Sequence, residues 1–216
     1  METMLIPQLL NTGNQSLLAI YHLVIQLKNS LIGATIYSQI WWWQMKIIFL
    51  DIDGVLNCRP DNWKDIPEPI RTHMLVGFHP PLVKNLKKII DATDAKIVVS
   101  SSWRHFEDAP YEGADWRKTL ADMLNVDKSI FIGNTPEIVT ECEMMSTGRL
   151  RVRRGKEIET WLLENPCFNR QFVVLDDEVC DIVTVIPKKF VVHTKQTDGL
   201  TEEDADKAIR ILNDVR

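Results

Sequence analysis

The sequence predicts an α/β fold: a mostly parallel sheet covered by helices on both faces. Five short apolar runs rich in branched and aromatic residues read as buried strands, and amphipathic stretches lie between them. Polar residues gather where the runs end.

Ile47-Ile48-Phe49-Leu50 is the first strand-like run, followed along the chain by Ile97-Val98-Val99, Ile130-Phe131-Ile132, Phe172-Val173-Val174-Leu175 and Phe190-Val191-Val192. Between the first two, His79-Pro80-Pro81 opens a helix whose inner face carries Leu82, Leu86, Ile89 and Ile90. Proline suits that first turn because its missing N–H has no partner there. Asp115 is placed to cap a second helix with Trp116, Leu120 and Leu124 at helical spacing. A third follows Gly155, with Ile158, Trp161 and Leu162 facing inward. Thr201 and Asp204 form a capping-box-like start for the last. There is no internal repeat and no low-complexity tract.

Over 216 residues, 25 Lys+Arg stand against 30 Asp+Glu for a net charge of −5, with 45% of residues apolar and 25% charged. That is ordinary globular composition, and it excludes a disulfide-stapled miniprotein, a disordered tail and a generally basic nucleic-acid coat protein. Cysteines 58, 142, 167 and 180 show no C-x-x-C pair and no zinc-finger spacing, and read as reduced thiols of a cytoplasmic protein.

Charge also marks a boundary. Residues 1–44 hold only Glu2 and Lys28, and the other 53 of the 55 charged residues lie from Lys46 onward. The apolar stretches Leu17–Leu27 and Leu31–Trp43 are each shorter than the roughly 20 residues that span a bilayer, so no stable membrane insertion is expected. An acidic residue at position 2 and the lack of a small-residue cleavage site argue against a secretory signal. The Trp41-Trp42-Trp43 run would suit a membrane interface, but the plainer expectation is an appended segment upstream of a start at Met45, with residues 45–216 as the folded domain. A chain beginning at Met45 is then expected to fold.

In parallel sheets, ligands bind beyond the carboxyl ends of the strands. There the first run ends in Asp51-Ile52-Asp53-Gly54, the second in Ser100-Ser101-Ser102 and the fourth in Asp176-Asp177. The third helix is preceded by the basic run Arg149-Leu150-Arg151-Val152-Arg153-Arg154-Gly155-Lys156. If the acidic pair reaches Asp51 and Asp53, up to four carboxylates converge. Such a cluster calls for a hard divalent cation with oxygen ligands, for which Mg²⁺ is the natural candidate. With a hydroxyl and a lysine added, the set suits a phosphoryl group. Each piece alone has a duller reading: Asp-x-Asp-Gly as a turn, Asp-Asp as a helix cap, the basic run as a solvated edge.

In this order the motifs resemble those of the haloacid dehalogenase-like (HAD) phosphohydrolases, over roughly Met45 to His193. The matching pieces are Ile47–Val55, Ile97–Ser101, Lys156 and Val173–Asp181; Asp181 also fits an Asp-x-x-x-Asp form of the last motif. The register is open between Ser100 and Ser101, and Arg154 is an alternative to Lys156. Ser101-Ser102-Trp103-Arg104, Asn134-Thr135-Pro136, the Glu157–Leu162 helix and Asp198-Gly199-Leu200-Thr201 resemble, more finely, small HAD phosphatase domains including those of RNA-repair proteins. The resemblance implies a three-layer Rossmannoid sheet. Only 46 residues separate Asp53 from Ser100 and 55 separate Ser100 from Lys156, so no large cap domain is expected.

The resemblance also implies roles. Asp51 would be the nucleophile and Asp53 the acid/base, with Ser100 and Lys156 holding the phosphoryl oxygens. Gly54, Ser101, Arg104 and Arg154 would contact substrate. Mg²⁺ would be held by Asp51, Asp176, Asp177 and the backbone carbonyl of Asp53. An uncapped site suits a phosphate on an RNA or DNA end, or on a protein, better than a small metabolite that needs enclosure. The alternatives are a nucleotide or sugar phosphatase, a phospho-receiver and a non-catalytic binding domain. A receiver would carry its acidic pair on the first strand and its acceptor on a later one, the reverse of the order here.

Overall fold

In the computed structural model, residues 45–59, 64, 77–105, 115–138, 154–166 and 171–214 are described. They belong to one unit, Met45–Arg216. The expected appended segment 1–44, with Trp41-Trp42-Trp43, lies outside the described residues, as do Cys142, Cys167, Arg149, Arg151 and Arg153.

Five parallel strands form one sheet: β1 (Ile47–Leu50), β2 (Lys96–Val99), β3 (Phe131–Asn134), β4 (Phe172–Asp176) and β5 (Val191–His193), in the order β3-β2-β1-β4-β5. β1 is central, and all four of its side chains are fully buried. Burial on both faces is why it reads as a continuous apolar run instead of an alternating one. Ile130 and Phe190, expected in strands, belong to the 3-10 turns Lys128–Ile130 and Lys188–Phe190 that feed β3 and β5.

Among the described residues four α-helices cover the sheet: α1 (Pro80–Thr93), α2 (Trp116–Leu124), α3 (Arg154–Glu164) and α4 (Glu202–Asn213). Prolines occupy the first turn of α1, Asp115 accepts from the Arg117 and Lys118 amides to cap α2, and Thr201 with Asp204 forms a full capping box on α4. α3 starts at Arg154 and includes Gly155, which the sequence pattern places just ahead of the helix. The alternation of strand side chains sorts the core into two halves. Ile48, Leu50, Ile97, Val99, Val173 and Leu175 pack under α1, α2 and α4. Ile47, Phe49, Val98, Phe172 and Val174 pack on the opposite face against Ile158, Trp161 and Leu162 of α3, together with Ile182, Ile186 and Phe190.

Backbone pairing runs one residue past several strand ends. Asp51 donates to the Leu175 carbonyl (3.0 Å), Ser100 to Leu50 (2.9 Å), Thr135 to Val99 (3.0 Å) and Thr194 to Asp176 (3.0 Å). The ladder thereby sets Asp51, Ser100, Thr135, Asp176 and Thr194 along one edge, where the chain leaves β1 toward opposite sides of the sheet. The longest interval between successive described strands and helices, 51–79, has 29 residues, below the size of an independently folded cap domain. No helix among the described residues is long and apolar enough to cross a membrane.

Candidate active site

Asp51 follows the central strand and is 3% exposed. Its Oδ1 accepts from the Ile52 amide at 2.8 Å, and its Oδ2 accepts from Arg154 Nη1 at 2.7 Å. The same Nη1 donates to Asp176 Oδ2 at 2.6 Å, and Asp176 Oδ1 takes the Glu178 amide at 2.8 Å. Asp51, Asp176 and Asp177 each bring a carboxylate oxygen to within 4.8 Å of the other two.

Gly54 makes this convergence sterically possible. Its φ is +72°, in the left-handed region, and a Cβ there would lie 2.3 Å from the Asp177 carboxyl carbon. Its amide donates to Asn57 Oδ1 (3.0 Å), and its carbonyl accepts from the buried Thr194 hydroxyl (2.8 Å).

The electrostatics are those of an undercompensated acidic pocket. Burial raises the pKa of Asp51 although Arg154 and a hydrogen bond from Ser101 pull it down. Burial and then the Asp51 charge raise Asp176, and the same two causes push Asp177 to about 6. Three carboxylates against one guanidinium leave two negative charges, in a set of hard oxygen donors only. These residues fit a divalent cation.

Asp53 stands apart from this cluster. Its carboxylate is exposed, and it accepts from Asn57 Nδ2 at 2.9 Å and Trp103 Nε1 at 3.2 Å. Of the two candidate serines, Ser101 is the one hydrogen-bonded to Asp51, while the buried Ser100 hydroxyl has no partner among the described residues.

Two expected phosphate or substrate contacts have other partners in the structure. Lys156 lies two residues along α3 from Arg154, and its Nζ is taken by Glu159 at 2.7 Å with the side chain 52% exposed. A step of two residues on a helix turns the side chain by more than half a turn, so Arg154 enters the cleft and Lys156 faces outward. Arg104, expected as a substrate contact, has its guanidinium engaged within the protein. It is 7% exposed and forms a two-pronged pair with Glu157 (2.9 and 3.0 Å), with a further bond to Thr135 Oγ1 (2.8 Å). Its role is to tie the loop after β2 to α3. Asp181 is also outside the carboxylate cluster: its Oδ2 accepts from the Gly155 amide at 3.2 Å, at the start of α3.

Sequence reasoning missed Asn57 and Thr194, and it placed Glu157 in a matching helix without its partner Arg104. Thr194 follows the fifth strand and was open to the strand-end rule, whereas Asn57 carries no local signal.

A parallel sheet centred on β1, with Asp-x-Asp-Gly at that strand's end and an acidic pair at the end of its neighbour, defines a HAD-like domain. The family model described as the HAD domain in Swiss Army Knife RNA repair proteins matches residues 47–205, and the chain belongs to that family. No curated protein and no solved structure matches it.

Proposed function

We propose that the domain is a Mg²⁺-dependent phosphomonoesterase that acts through an aspartyl-phosphate on Asp51 and serves phosphorylated nucleic-acid ends. The observation that carries the reaction is the division of labour within one turn. Asp51 is buried against Arg154 and Ser101, while Asp53, two residues on, is held separately and open to solvent.

In this reading an Asp51 oxygen attacks phosphorus as the ester P–O bond breaks, and Asp53 gives its proton to the departing oxygen. Asp53 then takes a proton from water, whose oxygen displaces Asp51 and releases inorganic phosphate. Arg154 and Ser101 hold the phosphoryl oxygens. Mg²⁺, held by Asp51, Asp176 and Asp177, would neutralise charge on the transferring group.

The substrate class is supported by the family's association with RNA repair, the absence of room for a cap, and Arg117. The Arg117 guanidinium lies over the Trp116 ring at 4.4 Å and donates to Asn134 Oδ1 at 3.0 Å. Asn134 is in register with Val99, which is in register with Leu50. It therefore lies two strand spacings, roughly 10 Å, from the strand that carries the nucleophile. A cation at that reach suits a neighbouring phosphate better than the reacting one. We place this activity in the cytoplasm, in keeping with the cysteine pattern.

Phosphate release from an aryl phosphate and from 3′- and 5′-phosphorylated oligonucleotides, with Mg²⁺ or with EDTA, tests the reading. Asp51→Asn is expected to lower kcat by roughly 10³-fold or more. Arg117→Ala is expected to raise KM for the oligonucleotide alone. Undiminished turnover in Asp51→Asn would overturn the mechanism, and a stable phosphoprotein without turnover would make the domain a receiver.

A further inference from the structure

An exposed carboxylate ordinarily samples several rotamers. Asp53 does not have that freedom, because both its oxygens are engaged: Oδ1 by Asn57 Nδ2 at 2.9 Å and Oδ2 by Trp103 Nε1 at 3.2 Å. Both donors are themselves fixed. Asn57 is 4% exposed, and its amide oxygen accepts from the Gly54 N–H at 3.0 Å, which sets which end of the amide faces Asp53. Trp103 is also 4% exposed. Its ring meets Trp116 edge-on at 5.7 Å and lies 5.5 Å from Phe78. The Trp103 amide donates to Ser101 Oγ at 3.3 Å, the same hydroxyl that hydrogen-bonds Asp51. One short turn, Ser102–His105, thus touches both Asp53 and the hydroxyl beside the nucleophile.

The chemistry of the two donors matters as much as their placement. An indole N–H and an amide NH₂ donate and cannot accept. When Asp53 carries a proton, that proton cannot settle on either neighbour, so it is directed into the cleft. We propose that Trp103 and Asn57 are positioning residues that hold Asp53 and aim its proton at the leaving oxygen. The proposal rests on the reading of Asp53 as acid/base.

The test uses the full chain with Mg²⁺ and two substrates. A nitrophenyl phosphate has a leaving group stable as the anion, whereas an alkyl phosphate has one that needs the proton. Trp103→Phe keeps the ring and deletes the donor. Asn57→Asp keeps the acceptor for Gly54 and replaces the donor by a like charge. Asp53→Asn is the reference, and thermal melts confirm folding.

In both positioning variants the first turnover on the alkyl phosphate is expected to fall about 10- to 100-fold, a part of the roughly 10²–10⁴-fold that a positioned acid contributes. The nitrophenolate burst is expected to stay within about threefold of wild type. KM is expected to hold. If Asp53→Asn slows both substrates equally, the acid/base reading fails and the proposal with it. If Asp53→Asn shows the leaving-group split while Trp103→Phe and Asn57→Asp do not, the acid/base reading stands and the positioning proposal is overturned.

Discussion

Arg154 uses one nitrogen, Nη1, for both Asp51 and Asp176, at 2.7 and 2.6 Å. The guanidinium acts there as a point charge instead of a two-pronged fork. Arg154→Lys is therefore expected to retain activity within roughly 10-fold of wild type, while Arg154→Ala loses several hundredfold or more. Lys156, half-exposed and paired with its helix neighbour Glu159, makes the contrasting case. Lys156→Ala is expected to leave kcat unchanged and stability within about 0.5 kcal/mol, since exposed pairs of this kind contribute little. Steady-state kinetics and urea unfolding on the three variants check this. A loss in Lys156→Ala matching that in Arg154→Ala would return the phosphate-binding cation to Lys156.

α3 is the element that brings Arg154 to the cleft, and two contacts fix it. At Gly155 a Cβ would come within 2.8 Å of the Asp181 carbonyl oxygen and 2.9 Å of the Ile182 Cα, so the helix start lies directly on that backbone. Two residues on, Glu157 meets Arg104 with both side chains almost fully buried. A buried pair penalises the loss of one partner more than the loss of both, because the survivor keeps its desolvation cost without its compensation. Arg104→Leu or Glu157→Leu alone is expected to destabilise the domain by about 3–5 kcal/mol. The double variant is expected to lose less than the sum of the two. Strict additivity in urea unfolding would show that the two side chains are not coupled.

Across the molecule, the site's carboxylates set a pH dependence. An unfolded Asp titrates near 3.8, whereas burial and the neighbouring Asp51 charge hold Asp177 at about 6, and burial raises Asp51 and Asp176 too. Above pH 4 the folded state retains protons that the unfolded chain has released, so these groups make stability fall as pH rises through and beyond 6. Asp115 and Asp127 shift the other way, through Lys128 and Ser129, and act only below that window. A divalent cation binds the ionised site and must displace those protons. The metal-free Tm is therefore expected to drop from pH 5 to pH 8, and millimolar Mg²⁺ is expected to raise it more at pH 8 than at pH 5. An equal Mg²⁺ increment at both would place the cation away from these carboxylates.

How much was legible in the chain follows from how local each signal is. The strands at Ile47–Leu50 and Phe172–Leu175, the prolines opening α1, the Asp115 cap and the Thr201–Asp204 box are written within a few residues. The motif order Asp51-x-Asp53-Gly54 … Asp176-Asp177 was likewise enough to anticipate an acidic cluster, since residues that end parallel strands share one edge. Only the folded structure decided which cation enters it. Arg154 and Lys156 are two residues apart in a basic run, and the rotation of α3, pinned at Gly155 and Glu157, turns one inward and the other out. It also decided that Arg104 is spent on a buried pair with Glu157, 53 residues away, and that Trp103, 50 residues from Asp53, supplies that carboxylate with a donor. Periodicity and capping are encoded by near neighbours, but the partner of a buried charge is set by which elements the sheet brings together.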